Sequence, residues 1–152
     1  MLGVYMLGEL SAKEERALKI LETKVVKDDN WRVQEMLAKA IDRYCQQKGY
    51  EQSLPEIRRW LVTDNSNMKR AVVEGLRIWT SRPYFKEHPD IAIGLISQHK
   101  ADESEYLRKS VGNALRDISK KHPDLVDTEI KSWDQTDVRI KLTYKHADKT
   151  RH

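Results

Sequence analysis

The sequence predicts an all-α protein in which helical pairs stack into a solenoid, an α-α superhelix. Similar blocks begin at Val33, Met68 and Leu107, spaced 35 and then 39 residues apart. Apolar residues recur at helical spacing through most of the chain, and no segment alternates as a strand does. A repeat of this length cannot bury its apolar face alone, so neighbouring repeats must share one core and leave an extended concave surface. We expect the function to lie on that surface.

Nine helices follow from the same periodicity, and turn residues mark their ends. The expected helices cover residues 2–10, 12–26, 31–48, 52–62, 66–81, 89–99, 104–121 and 123–133, with a ninth around residues 138–144. Asp, Asn and Ser side chains that suit helix N-caps precede three long helices, in residues 28–30, 63–67 and 102–104. Gly49 suits a helix end. Prolines suit the first turn of three shorter helices, at Pro55, Pro89 and Pro123. Each pair is therefore predicted to be a short helix followed by a long one.

The domain organisation is expected to be simple, because no Gly/Ser-rich or low-complexity linker divides the chain. We predict one helical-repeat domain over residues 1–152, with a tail that frays from about residue 146. The apolar opening, residues 2–10, is too short to span a membrane and is predicted to be a core helix. Terminal repeats normally carry a polar outer face. We therefore expect further helices before this one, and a chain that is an N-terminally shortened version.

Composition narrows the class of protein. Charged residues make up 34% of the chain and the mean hydropathy is -0.75, as expected for well-solvated amphipathic helices. The net charge of +4 is compatible with nucleic-acid binding but does not identify it. Cys45, the single cysteine, excludes an internal disulfide, favours a reducing, cytoplasmic setting and is predicted to be an inert buried thiol. The histidines lack ligand spacing, so we predict no metal, and we expect a monomer without membrane association.

Alignment of the long helices places charged side chains in rows. One row contains Glu35, Arg70 and Lys109, and the row one turn further on contains Lys39, Glu74 and Asn113. These rows have two readings: a ladder of structural ion pairs, or a stripe that faces a ligand. Basic residues concentrate on the same few helices, at Lys69, Arg70, Arg77, Arg82, Arg108, Lys109, Arg116, Lys120 and Lys121. A curved basic groove suits a duplex backbone, bound through its phosphates without base readout.

Two residues near the start of the third helix point to chemistry beyond backbone binding. A carboxylate at Glu35 is repelled by phosphate unless it has another task, such as stabilising positive charge that develops on a sugar. Trp31 lies one turn earlier on the same face, where its ring either packs on a sugar or base or belongs to the core. The aromatic cluster in residues 79–85 is interpreted as a packed corner, with Arg82 alone kept as a ligand contact.

Three segments resemble a known family: residues 30–35 (NWRVQE), 75–85 (GLRIWTSRPYF) and 108–123 (RKSVGNALRDISKKHP). They are similar to the AlkD-like HEAT-repeat DNA alkylation-repair proteins, and the similarity spans roughly residues 1–145. The resemblance implies a HEAT-like superhelix whose concave face holds double-stranded DNA, with no metal and no cofactor. In active members it implies an N-glycosylase of base excision repair that releases cationic N3- or N7-alkylated purines. This chain looks like the C-terminal two-thirds of such a protein.

The resemblance also implies roles for particular residues. Active members surround the lesion with a tryptophan and an aspartate one turn apart, an arginine from the next repeat and a tryptophan from the repeat after that. Trp31 matches the first tryptophan and Arg70 matches the arginine, which would clamp the adjacent phosphate. Glu35 stands where the aspartate is expected and Asn113 where the second tryptophan is expected. With the basic residues, the catalytic candidates are Glu35 and Trp31, and the DNA-binding candidates are Arg70, Lys69, Arg77, Arg82, Arg108, Lys109, Asn113 and Arg116.

Three functions stay open on the sequence alone. The first is the DNA-alkylpurine N-glycosylase, the second a non-catalytic binder of duplex or branched DNA, and the third a helical-repeat scaffold for protein interactions. Glu35→Gln separates the first from the second, because only catalysis needs the carboxylate. The salt dependence of DNA binding separates both from the scaffold, since phosphate binding releases counterions.

Overall fold

The structure is a computed structural model that describes residues 2–148. Within that range the chain forms nine α-helices and no strand, which confirms the all-α prediction. The helices are α1 (Leu2–Leu10), α2 (Glu15–Thr23), α3 (Trp31–Lys48), α4 (Leu54–Leu61), α5 (Ser66–Trp79), α6 (Pro89–Ser97), α7 (Glu105–Ile118), α8 (Pro123–Lys131) and α9 (Val138–Ala147). A short 3-10 turn, Val25–Lys27, lies between α2 and α3.

Side-chain caps start the three long helices where the sequence predicts them. The side chain of Asn30 accepts a hydrogen bond from the backbone N–H two residues on, at 2.9 Å. Asn65 and Ser104 accept from the backbone N–H three residues on, at 3.0 and 3.2 Å. Gly49 ends α3 with φ of 100°, a conformation that side chains with a Cβ rarely adopt. The caps therefore fix the start of each long helix through local chemistry.

The predicted helix ends run two or three residues too far at α5 and α7. Both helices pass into tighter turns, in which the N–H of Ser81 donates to the carbonyl of Ile78 and that of Lys121 to the carbonyl of Ile118, each at 3.1 Å. Bonds between residues three apart belong to 3-10 geometry, which often closes an α-helix. Helical apolar spacing alone does not distinguish such a turn from one more α-helical turn.

The chain divides into two compact units, one up to Gly75 and the other from Leu76 onward, so the boundary lies within α5. We call them the first unit and the second unit. The single domain expected for residues 1–152 stays a prediction. In the first unit α1 packs against α2 and α3. A Cβ at Gly8 would lie 2.8 Å from the Cα of Ala40, so this glycine lets the two backbones approach closely.

The core of the first unit is aliphatic around one large ring. Its fully buried side chains include Leu21, Leu37, Ile41, Ile57, Trp60 and Leu61. Helix α1, predicted to be a core helix, contributes only one face to this core. Val4 is buried, whereas Tyr5, Met6 and Leu10 are exposed. The apolar composition of α1 therefore overstates how much of the helix is covered within this unit.

In the second unit α7 packs against α6, α8 and α9. A Cβ at Gly112 would lie 2.3 Å from the Cβ of His146, so α7 and α9 cross with almost no space between them. Trp79 and Phe85 are fully buried and stack with ring centroids 6.1 Å apart, which confirms that this aromatic cluster is packed. Tyr84 beside them has φ of 75°, unusual for a residue other than glycine.

Helix α9 extends beyond the predicted residues 138–144. Asp137 caps it by accepting hydrogen bonds from the N–H groups of Arg139 and Ile140, at 2.8 and 3.1 Å. The helix continues to Ala147, so residues 146 and 147 of the expected frayed tail are helical. Residues 149–152 of that tail lie outside the described residues. No helix among those described is long and apolar enough to cross a bilayer.

Candidate functional site

Trp31 is the first residue of α3 and projects from the protein with 69% of its surface exposed. The interpretation of Trp31 as a core residue is therefore wrong. The guanidinium of Arg32 lies 5.3 Å from the centroid of the Trp31 ring, within range of a cation–π interaction. Below them, the buried amide of Gln34 donates to the carbonyls of Val25 and Asp28 and fixes the first turn. The ring thus stands on a well-anchored helix end and offers one face to a ligand.

Glu35 lies one turn after Trp31 and forms an ion pair with Arg70 of α5. The Nη2 of Arg70 donates to Oε1 of Glu35 at 2.9 Å. The Arg70 side chain is 15% exposed and the Glu35 side chain 51% exposed, so the arginine is largely enclosed while the carboxylate remains open to solvent. The equivalence predicted from the repeat alignment is therefore confirmed for this pair. Because the arginine is enclosed, this is not an ordinary surface ion pair, and the Glu35 carboxylate is its accessible partner.

Two further basic residues lie on the helices that carry this pair. Lys69 is half-buried beside Arg70 on α5, and Lys39 is exposed one turn beyond Glu35 on α3. Trp31, Glu35 and Lys39 follow each other at four-residue intervals, so they occupy one strip of the α3 surface. The strip carries an aromatic ring, a carboxylate and an ammonium group in that order.

In the second unit, Lys109, Asn113 and Arg116 share one face of α7, at spacings of four and three residues. Lys109 is exposed and lies 3.4 Å from the carboxylate of Glu105 one turn earlier. Asn113 is exposed and Arg116 is half-buried. Among the described residues neither the Asn113 amide nor the Arg116 guanidinium has a hydrogen-bond or ion-pair partner. This face therefore presents polar groups that are available to a ligand.

His146 of α9 borders the same face, and the sequence did not single it out. Burial and then the positive charge of Lys109 lower the pKa of His146 from its ordinary value of 6.5, against the opposing charge of Glu105. The close approach at Gly112 places α9 there, and helical spacing within α9 gives no sign of it.

The prediction that Arg108 contacts DNA needs a correction, because the structure gives this residue another role. Arg108 is only 8% exposed, and its Nη1 donates to the carbonyls of Asp102 and Glu103 at 2.7 and 3.1 Å. The guanidinium therefore ties down the turn before α7. The burial of Arg108 could have been predicted from helical spacing. Arg108 shares the inward face of α7 with Val111 and Leu115, whereas Lys109 points elsewhere.

The last two arginine candidates lie near the end of α5 in the second unit. Arg77 donates through Nη1 to Oδ2 of Asp117 at 3.2 Å, and its side chain is 35% exposed. Arg82 is half-buried in the turn that carries the packed aromatic cluster. Asp117 was not anticipated, although its place one turn after Asn113 on α7 puts it on the candidate face.

No three His, Cys, Asp or Glu residues in the described part of the chain are grouped so that they could hold a metal ion. Burial raises the pKa of the Cys45 thiol to about 12, so this buried cysteine is protonated and a poor nucleophile at neutral pH. The site consists of aromatic, carboxylate, amide and basic groups.

These features define a class of protein: an all-α HEAT-like helical repeat with exposed polar and basic groups on its long helices. The sequence profile of the family described as DNA alkylation repair enzyme matches residues 1–147. The chain belongs to this DNA alkylation-repair family, as its resemblance to AlkD-like proteins predicts.

Solved structures of relatives agree with this assignment. The crystal structure of AlkD2 from Streptococcus mutans is 54% identical, with a TM-score of 0.92, over 96% of this chain and 70% of that one. AlkC from Pseudomonas fluorescens, an alkylpurine DNA glycosylase bound to DNA containing an abasic site analog, is 25% identical, with a TM-score of 0.61. That match covers 89% of this chain and 42% of AlkC.

One sequence relative indicates neither a family nor an activity by its name. The uncharacterized protein YhaZ of Bacillus subtilis is 34% identical over 104 residues, which are 66% of this chain. The matched region spans only 29% of YhaZ.

Proposed function

We propose that this protein is a DNA-binding HEAT-like repeat that acts as a monomer in the cytoplasm. Its activity is that of an N-glycosylase excising cationic N3- or N7-alkylated purines from duplex DNA, as the first step of base excision repair. The observation that carries the proposal is the grouping around Glu35. This exposed carboxylate lies one turn from the exposed ring of Trp31 and 2.9 Å from the guanidinium of Arg70. The AlkC relative, bound to DNA with an abasic site analog, supports the same chemistry.

The chemistry needs little more than charge stabilisation and a positioned water. An alkylated purine already carries a positive charge, so the bond from the sugar C1′ to the base nitrogen breaks with its electron pair leaving on a neutral base. Positive charge then develops on the sugar, and a nearby carboxylate lowers the energy of that state. Water adds to C1′ and loses a proton, for which Glu35 is the available base. The products are the free base and an abasic site.

Arg70 and Trp31 would position the nucleotide for that step. A guanidinium binds phosphate oxygens through two donors in a fixed geometry. When Arg70 turns toward a phosphate, its bond to Glu35 weakens and the carboxylate becomes free to face the sugar. The Trp31 ring then supplies an apolar surface against the lesion nucleotide. In the second unit, Lys109, Asn113 and Arg116 would supply further contacts from the face of α7 that they share.

A non-catalytic binder of duplex or branched DNA is the second candidate, and two observations favour it. The Glu35 carboxylate is engaged by Arg70, which reduces its availability to the sugar. Asn113 stands in place of an aromatic residue and cannot stack on the lesion nucleotide. Binding through phosphates requires neither group.

The experiment that tests the proposal is release of 7-methylguanine and 3-methyladenine from methylated duplex DNA by the purified chain. Glu35→Gln serves as the matched variant, because it keeps the size of the side chain and removes only its charge. Release by the wild type that Glu35→Gln abolishes supports the glycosylase. Salt-sensitive duplex binding without release supports the non-catalytic binder, and neither release nor salt-sensitive binding supports a protein-interaction scaffold.

A further inference from the structure

A small cavity of about 200 Å³ opens in the second unit, between the C-terminal ends of α5 and α7. Its polar lining comes from Arg77, Thr80, Ser81, Asp117, Lys120 and Lys121. Pockets that hold drug-sized ligands have volumes of about 300–1,000 Å³. This cavity is therefore too small for a nucleoside and suits a compact group.

One carboxylate organises two of the cations around this cavity. Asp117 places Oδ2 3.2 Å from Arg77 and Oδ1 3.3 Å from Lys120, so it bridges the two side chains. Lys121 is exposed and makes no ion pair with any other residue in the described part of the chain. The bridge holds two positive groups at the cavity and leaves a third available.

The charge balance identifies the kind of ligand. Three cations face one carboxylate, and the C-termini of the two helices add roughly half a negative charge each. The two helix ends together therefore offset about one of the three cations, and Asp117 offsets a second. A surplus of about one positive charge remains, which matches a single phosphodiester.

Two hydroxyl groups occupy carbonyl oxygens at the end of α5 that would otherwise repel such a ligand. Thr80 donates to the carbonyl of Arg77 at 3.0 Å, and Ser81 donates to the carbonyl of Ile78 at 2.8 Å. Two exposed carbonyl oxygens at the end of α5 are therefore already satisfied. An anion entering the cavity meets basic side chains rather than bare carbonyls.

We propose that this cavity is a seat for one backbone phosphate of bound DNA, held by Arg77, Lys120 and Lys121. Asp117 sets the position of the cations and weakens the seat through its own charge. It lies one turn beyond Asn113 on the same face of α7, so the seat extends the candidate DNA-binding face of this unit. The inference rests on the proposed DNA binding and does not depend on catalysis.

The first test compares the salt dependence of duplex binding in the wild type and in Lys120→Ala/Lys121→Ala. Loss of one phosphate contact is expected to make the slope of log affinity against log salt less negative by about 0.9, equally for unrelated sequences. Lys86→Ala/Lys131→Ala is the matched control, since it removes two exposed lysines that do not line the cavity. An unchanged slope in the cavity variant, or an equal change in the control, overturns the seat.

The second test locates the phosphate on the DNA. A series of duplexes carrying one neutral methylphosphonate each is expected to show a position whose substitution weakens wild-type binding but not binding by the cavity variant. Asp117→Asn is expected to bind duplex more tightly than the wild type, because repulsion is removed while the side chain keeps its shape. If Asp117 had only a structural role, Asp117→Asn would show no gain in affinity, which would contradict the seat. Absence of salt-sensitive binding by the wild type itself overturns the proposed function, whereas binding without this coupling overturns the seat alone.

Discussion

Glu35 and Arg70 are 35 residues apart in the sequence, and the Nη2 of Arg70 lies 2.9 Å from Oε1 of Glu35. The two residues occupy equivalent positions in successive repeats, on α3 and α5. Only the carboxylate remains open to solvent, because the Arg70 side chain is largely enclosed. In the free protein, the proposed catalytic carboxylate and the proposed phosphate clamp therefore neutralise each other. The proposed reaction requires that DNA separate them, because the carboxylate has to face the sugar while the guanidinium holds a phosphate.

Glu35→Asp is expected to increase the rate of alkylpurine release. The shorter side chain withdraws the carboxylate from Arg70. It also restores the aspartate that active members of the family carry at this position. A misplacement of about 1 Å can cost about 100-fold in rate, so the gain is expected to reach one to two orders of magnitude. Single-turnover release from methylated duplex DNA measures it, with the melting temperature as a check on folding. A slower Glu35→Asp would show that the longer side chain is the better placed one.

Asn113→Trp is expected to strengthen binding to DNA that contains a lesion or an abasic site. The exposed position accepts a large ring without disturbing the core, and stacking on a base is worth about 1–3 kcal/mol. The affinity gain is therefore expected to lie between about 5-fold and 150-fold, measured against an undamaged duplex of the same sequence. Asn113→Leu is the control, because it adds apolar surface without an aromatic face. An equal gain with leucine would rule out stacking.

Truncation of two tryptophans in the first unit is expected to affect different properties, DNA binding in one case and stability in the other. Trp31→Ala should change the free energy of unfolding by less than about 0.5 kcal/mol, because the ring is exposed, but should weaken DNA binding. Trp60→Ala should cost about 3–5 kcal/mol, since that ring is fully buried and its N–H donates to Glu22. Chemical denaturation and duplex titration separate the two effects. A large stability loss in Trp31→Ala would mean that the ring packs after all.

Gly112→Ala is expected to destabilise the second unit, because the added methyl group meets the Cβ of His146 at 2.3 Å and a backbone carbonyl at 3.0 Å. Overpacking of this kind costs about 1–3 kcal/mol. Gly94→Ala on α6 is the matched control, since nothing lies within 4 Å of its added Cβ. That variant should gain about 0.5–1 kcal/mol from the better helix propensity of alanine. Thermal unfolding should therefore shift in opposite directions for the two variants.

Acid should remove a stabilising contribution from Glu22. Burial raises the pKa of Glu22, but hydrogen bonds from Arg59 and Trp60 and the charge of Arg59 outweigh it and bring the pKa below the ordinary 4.5. A lowered folded-state pKa gives stability that is present above 4.5 and is lost as the pH falls through the folded value. The stability difference between the wild type and Glu22→Gln should therefore shrink in acid. A stability difference that stays the same at all pH values would contradict this contribution.

The helices can be predicted from the sequence, because their signals are local. Asn30, Asn65 and Ser104 bond to backbone groups within three residues, and Gly49 ends α3 through its own backbone conformation. The spacing of the repeats also determined that Glu35 and Arg70 are equivalent, and the structure joins them. Each of these features depends on a few neighbouring residues or on a repeated pattern.

Which faces of those helices are covered could not be predicted from the sequence, because it depends on tertiary packing. Trp31 and Trp79 both belong to helices of similar composition, yet Trp31 is exposed and Trp79 is fully buried. Arg108 and Lys109 are adjacent, but successive residues of a helix point about 100° apart, and the packing of α7 encloses one while leaving the other in solvent. Burial depends on which distant segments pack against a face, and helical periodicity specifies the face without specifying its neighbour.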